Sequence, residues 1–382
     1  MLNTLTQNGK ETVMALKNEK DDPANRTIYV DLLRITATFG VIILHVAASR
    51  WYVTPVTSAD WQIMNIYDSL VRWTVPAFVM ISGVFHLKPN KQDITFKEEM
   101  RITYKKIFKI ICALVFWGTI YNITNSLGKY VFDNEPFTIY EIIKIPAAII
   151  FGPVWIHLWF LYMLIGLYLL TPIFRILIKN CKQEHIEYFL MLFFIIGTCI
   201  PLINAFSIYI PAFKGKQIFF PVHELTGFIS YYIAGYYFAH NKIKDKTKTF
   251  IYIFAVLSIL FTIAGTSIES LYKKEAADTL YGYLLPNAMF ITYGAFLLFK
   301  QLFENMEFSE KIKMIIVKIS KNTFGIFLVH VLVIQILDRI GINTLIITPI
   351  LSIPLISILV MIMSQIVTII ISKVPILNKY VI

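Results

Sequence analysis

An arginine and a histidine, Arg34 and His45, lie eleven residues apart inside the first long apolar segment of the chain, DLLRITATFGVIILHV over residues 31–46. Eleven residues are close to three turns of an α-helix, so both side chains project from one face, about 16 Å apart along the axis. Ionisable groups within a membrane span are costly and usually face a bundle interior, a cavity or a transport path. An arginine at the mouth of such a helix can grip an anionic ligand through its planar fork of donors. An imidazole has an ordinary pKa near neutrality, and its neutral form can take a proton from a hydroxyl nucleophile. The pair reads as an anion-binding group and a general base strung along one site. The plainer alternative for Arg34 is a helix-local ion pair with Asp31, which explains the aspartate better than the arginine.

Other polar residues fall at similar depth. His157 opens a later apolar segment, His223 and Glu224 open another, Arg72 lies in the second, and His330 sits within SKNTFGIFLVH at 320–330. Each has a plain alternative: His223 and Glu224 as interfacial groups, Arg72 as the partner of Asp68 four residues earlier. Together they outline a polar chamber opening outward. No two of these histidines have ligand spacing on one helix, so no metal is expected. Trp155, Trp159 and Tyr162 suit an aromatic belt or packing, although such rings also stack on carbohydrate faces.

In RWTVPAFVMISGVF (72–85), Pro76 removes a backbone donor while Ser82 and Gly83 lower helix preference. A kink or close helix approach is expected there, read either as close packing against the first span or as a backbone opening that lines the site. The following stretch, FKEEMRITYKKIFKI, carries Arg101, Lys105, Lys106 and Lys109. Charge anchoring on the cytoplasmic side accounts for most of this cluster. Lys106 and Lys109 are also placed to help Arg34 hold phosphates, and basic pockets of this kind bind lipid head groups too.

Composition fixes what must carry these residues. The 382-residue chain is 57% hydrophobic and 15% charged, with a mean hydropathy of +0.65, so most of it must face lipid or other spans. The net charge of +11 does not mark a nucleic-acid binder, because the positive residues sit in short loops between apolar runs, with no basic arm. Cys112, Cys181 and Cys199 fit neither a metal spacing nor a disulfide framework.

The expected fold is an all-α polytopic membrane protein of about ten transmembrane helices. Residues 1–28 form a cytoplasmic N-terminal tail and 29–382 a single membrane domain. Apolar runs fall at about 29–49, 63–87, 107–127, 153–177, 187–206, 224–240, 249–267, 281–301, 320–340 and 346–372. Of the 35 lysines and arginines, 25 then lie on the side of the termini and eight on the other, with Arg34 and Arg72 inside spans. That asymmetry orients the chain N-in and C-in. The stretch 139–152 is too short to span and reads as an outer interfacial or re-entrant piece.

With these residues in place, the chain resembles the acyltransferase type 3 family of integral membrane acyltransferases. The resemblance rests on DLLR with a histidine eleven residues after its arginine, on VPAFVMISG (75–83), on HLWFLYMLIGLYLLTPI (157–173) and on TFGIFLVH (323–330). It extends over nearly the whole chain and leans toward the surface-polysaccharide O-acetyltransferase branch, which includes the enterobacterial common antigen O-acetyltransferase. One departure is that lysines stand after the second span where the family often has arginines. Another is that no extracellular esterase-like domain is seen, so transfer is expected to finish within the membrane domain.

The resemblance implies an acyl-CoA donor, usually acetyl-CoA, in the cytoplasm. It also implies an acceptor hydroxyl on a cell-surface glycan or lipid-linked sugar at the outer face of the cell membrane. Arg34, with Lys105, Lys106 and Lys109, would hold the donor phosphates. His45 would act as general base, or alternatively carry the acyl group as an acyl-imidazole. Arg72, Ser82, Tyr162 and His330 are the expected acceptor-orienting or oxyanion-stabilising groups. Two other readings compete: an exporter or flippase of polysaccharide or lipid-linked sugar, whose paths also carry intramembrane charges, and a membrane scaffold. No inverted repeat supports the first, and the second leaves His45, His157 and His330 without a purpose.

Overall fold

The computed structural model describes residues 27–89, 95–132, 143–152, 155–209, 216, 218 and 223–382, and among these there is no β-strand. Of the expected N-terminal tail, 1–28, residues 1–26 lie outside the described residues, as do 139–142 of the expected interfacial piece. The first half of the chain forms α1 (Ile28–Ala48), α2 (Ala59–Val71), α3 (Thr74–His86), α4 (Phe96–Phe132), a short α5 (Ile145–Phe151) and α6 (Trp159–Asn180). Next come α7 (Gln183–Phe194) and α8 (Ile200–Phe206), joined by a π-helical turn over Ile195–Cys199. The second half holds α9 (His223–His240), α10 (Asp245–Lys273), α11 (Pro286–Phe303), α12 (Glu310–Arg339), α13 (Pro349–Ser372) and a short α14 (Pro375–Tyr380).

By length and composition, eight helices among the described residues can cross a membrane; the protein is an all-α polytopic membrane protein. Two further expected spans stand apart from those eight. The second is divided into α2 and α3, and the sixth is the 18-residue α9. Several helices outrun their apolar runs. α4 begins at Phe96, eleven residues before the expected start, and α12 at Glu310, ten before. Hydropathy marks where lipid begins, whereas the helix continues into the polar interface. The seven-residue α5 is too short to span, as expected of the 139–152 piece.

α1 is central because apolar residues surround it, and such a helix is stable only when wrapped by others. Twelve of its 21 residues are buried, against α2, α3, α11, α12 and α13. Asp31 is buried and accepts a hydrogen bond from Ser320 Oγ of α12, which fixes the start of α1 against the helix that carries His330.

The break between α2 and α3 follows from Pro76. A residue there would normally donate its N–H to the carbonyl of residue 72, and proline has none to give. α2 accordingly stops at Val71 and α3 restarts at Thr74, with Pro76 in its tolerant first turn. Further along, Gly83 meets α9 backbone to backbone: a Cβ there would lie 1.8 Å from the Tyr232 carbonyl oxygen. Gly235 reciprocates, its Cβ position falling 2.0 Å from the Met80 carbonyl oxygen. Packing against the first span was expected at this stretch; at Gly83 the close approach is to α9 instead, because both helices place a glycine at the crossing. Gly83→Ala or Gly235→Ala should separate the two helices and cost about 3 kcal/mol or more by overpacking. A thermal melt in detergent checks this, and an unchanged Tm would refute it.

Candidate active site

α1 presents Arg34 and His45 toward its two ends. At the far end, the His45 ring lies 5.2 Å, centroid to centroid, from His330 of α12 and 6.4 Å from His157 in the turn before α6. His157 and His330 are 5.3 Å apart. Three histidines far apart in sequence thus converge. Among the described residues, no three His, Cys, Asp or Glu side chains have a geometry that could hold a metal ion.

Each ring is positioned differently. Nδ1 of His330 lies 2.6 Å from the Phe327 carbonyl oxygen; a carbonyl only accepts, so Nδ1 carries the hydrogen and Nε2 of the neutral ring is the lone-pair nitrogen. That Nε2 is buried with no hydrogen-bond partner among the described residues. His157 is 3% exposed, and its ring nitrogens likewise make no hydrogen bond of ordinary geometry. His45 is only half-buried and faces a cavity of about 460 Å³.

Tyr121 of α4 braces this cluster. Its hydroxyl donates to the Leu328 carbonyl at 2.8 Å and accepts from the Leu332 N–H at 3.1 Å. Those two groups would otherwise bond each other, so the hydroxyl is inserted into the ladder of α12 on either side of His330. Its ring also packs edge-on against His157, with centroids 5.0 Å apart. Tyr121→Phe should let the ladder close and shift the His330 ring. Misplacement of about an ångström costs up to about a hundredfold in rate, so kcat should fall about tenfold or more while substrate affinity stays unchanged. Steady-state kinetics beside calorimetry separate the two effects.

Arg72 ends α2 and lines the same cavity. It donates to Asp68 at 2.6 Å and to the Tyr281 carbonyl at 3.3 Å, and its guanidinium lies 3.8 Å over the Tyr281 ring. The expected Arg72–Asp68 pair and the expected site role therefore coincide: a fixed cation stands in the wall, with its Nε and the Asp68 Oδ1 making no hydrogen bond among the described residues. Much of the remaining wall is aromatic, with Trp51, Trp159, Phe160, Tyr281 and Tyr283 lining it beside aliphatic side chains and the polar Asp278 and Thr279. Tyr281 and Tyr283 were not singled out in the sequence. They come from a segment that appears there as the start of an apolar span, and the signal is Pro286, which delays α11 and leaves a short 3₁₀ helix over Thr279–Tyr281 followed by a turn.

Other expected residues lie elsewhere. Arg34 is half-buried, 3.9 Å from the Asp31 carboxylate, and lies over the Phe85 ring at 5.5 Å. Ser82 reaches the Tyr168 hydroxyl, which is also within electrostatic range of Arg34. Tyr168 in turn packs on His86, whose carbonyl oxygen is 2.5 Å from Arg175 Nε. Ser82 is thus at the Arg34 end and does not line the His45 cavity. Arg175, which by sequence stands only as a charge beside a loop, lies 2.8 Å from Glu99. Tyr162 supports α5, its hydroxyl lying 2.7 Å from the Ile149 and 2.9 Å from the Gly152 carbonyl oxygens; it too is away from the cavity.

The three lysines of α4 separate. The buried face of that helix runs through Thr103, Ile107, Ile110, Leu114 and Trp117. At 100° per residue, Lys106 lies beside that face, near the rotational position of Glu99, whereas Lys105 and Lys109 point away from it. Lys105 and Lys109 line a separate groove with Arg101 and α14. The side chains of His223 and Glu224 lie outside the described residues.

No curated protein and no solved structure matches the chain. A family model described as an acyltransferase domain matches residues 27–372. That span takes in every helix of the cavity, so the protein belongs to the acyltransferase type 3 family of membrane acyltransferases.

Proposed function

We propose that this acyltransferase moves an acyl group, acetyl foremost, from cytoplasmic acyl-CoA to a hydroxyl of a cell-surface glycan or lipid-linked sugar at the outer face of the cell membrane. The observation that carries the reading is His45: a half-buried imidazole on the wall of an aromatic-lined cavity, on the same helix as Arg34. The proposed topology has ten crossings, the eight apolar helices together with α2–α3 and α9, and both termini inside. The basic loops then fall in the cytoplasm.

In this reading Arg34 and Lys106 hold the donor phosphates at the cytoplasmic end, and the thioester extends along α1 toward His45. The acceptor sugar rests against the aromatic wall. Its hydroxyl oxygen bonds to the thioester carbonyl carbon as its proton passes to the lone-pair nitrogen of His45. Collapse breaks the carbon–sulfur bond; the imidazolium returns the proton to the departing thiolate, leaving free CoA and an ester. Arg72, held in place by Asp68, stabilises the developing oxyanion. The His330 ring, 5.2 Å from that of His45, packs beside it and limits how it can turn.

The test is transfer in oriented proteoliposomes, with labelled acetyl-CoA on one side and acceptor glycan on the other. Label is expected in a base-labile ester on the glycan. Glycan crossing the bilayer without label would instead indicate an exporter. Arg34→Ala should weaken acetyl-CoA binding about 10- to 100-fold, the worth of a charge-assisted hydrogen bond. Calorimetry in detergent measures this, and an unchanged Kd would remove Arg34 from the donor site.

A further inference from the structure

We propose that the outward face of α4, together with α14, is a binding site for an anionic glycerophospholipid, separate from the acyl-transfer cavity. Lys97, Arg101, Lys105 and Lys109 recur at four-residue spacing along α4, and Lys379 of α14 joins them in one groove. Among the described residues, no carboxylate lines that groove. Glu98 is occupied at the start of α4, accepting from the Thr95 N–H at 3.1 Å, and Glu99 is held by Arg175 on the opposite side.

A second stripe runs beside the first. Phe96, Met100, Tyr104 and Phe108 also repeat every four residues and line the same groove. Tyr380 closes it, packing edge-on against Phe108 with centroids 6.0 Å apart, while the Lys379 ammonium sits 4.8 Å from the Tyr380 ring centroid. The two stripes extend about 18 Å along the helix axis. Beyond Phe108 the exposed surface of α4 continues as Ile111 and Val115, within the part of the helix apolar enough to cross the membrane.

Cations beside aromatics, leading directly onto a lipid-facing apolar strip, match a molecule with phosphate at one end and acyl chains at the other. A free nucleotide phosphate would use the cations and leave the aromatic and aliphatic strip idle. An acidic peptide would not require the strip to continue into the bilayer. The helix geometry also turns this face away from Arg34 and His45.

The test is native mass spectrometry of the full chain delipidated in detergent and titrated with phosphatidylglycerol, cardiolipin or phosphatidylcholine. The anionic lipids should be retained at least tenfold better than phosphatidylcholine. A triple variant, Lys97→Gln, Arg101→Gln and Lys379→Gln, should lose that preference while binding acetyl-CoA as the wild type does. Equal retention of all three lipids by the wild type overturns the proposal, as does a preference that survives in the variant. Displacement of bound phosphatidylglycerol by acetyl-CoA also overturns it, because the groove would then hold the donor. Should the triple variant fail to fold, Lys379→Gln alone, on the short terminal helix, should still lower retention of the anionic lipids at least threefold; unchanged retention counts against the site.

Discussion

His45→Ala is expected to lower acyl transfer by about 10²- to 10⁴-fold, the range lost with a general base. The protein should still fold, because His45 is half-buried on a cavity wall and no packed core collapses around the missing ring. Acetyl-CoA should bind with unchanged affinity, since the phosphates are assigned to the other end of α1. The loss should therefore appear in kcat. Initial rates with purified variant and wild type measure it, beside a melt to show equal stability. A His45→Ala rate within a factor of a few of wild type would remove the imidazole from the chemistry. His330→Ala should fall between the two, because His330 acts through the orientation of its neighbour.

Asp68→Ala should be the most destabilising change in the cavity. Asp68 and Arg72 form an ion pair at 2.6 Å with side-chain exposures of 1% and 12%. Removing one member of a buried pair leaves the other charge uncompensated and costs about 3–5 kcal/mol. The Tyr281 carbonyl, at 3.3 Å, replaces little of that interaction. Asp68→Asn keeps an oxygen to accept from Arg72 and should cost less. Thermal unfolding in detergent is the measurement. A melt for Asp68→Ala that overlays the wild type would show that Arg72 does not depend on its partner. Because Arg72 also leaves the site when unsupported, any Asp68→Ala protein that folds should be slow in transfer.

The parts of the site legible in the sequence are those in which a polar residue stands against an apolar background. Arg34, His45, Arg72, His157 and His330 were visible for that reason, and the shared face of Arg34 and His45 follows from helical period alone. What a single chain cannot display is which distant segments converge. The placement of His157 and His330 around His45 is a tertiary fact, fixed by α12 packing on α1 and by the Tyr121 hydroxyl in the ladder of α12. Aromatic wall residues such as Tyr281 and Tyr283 are hidden by their own hydrophobicity, since they count as span until packing shows them lining a cavity.

The lysines of α4 teach the opposite lesson. Lys105, Lys106 and Lys109 form one cluster by composition, yet three side chains within five residues of a helix cannot share a direction. Helical period already separates Lys106 from the other two, and the lining of the outer groove agrees. The second span shows a similar limit. Pro76 announces a disruption, but the break lies four residues earlier, at the carbonyl the proline cannot serve. Arg72 stands at that break, and so reaches the cavity from a helix end.

The most direct measurement compares surface glycan from cells with and without the gene, complemented by wild type or by His45→Ala. The glycan should remain at the surface of deletion cells but lack its O-acyl ester, and only the wild type should restore it. Loss of the glycan itself, or full restoration of the ester by His45→Ala, would contradict a reaction in which this imidazole activates the acceptor.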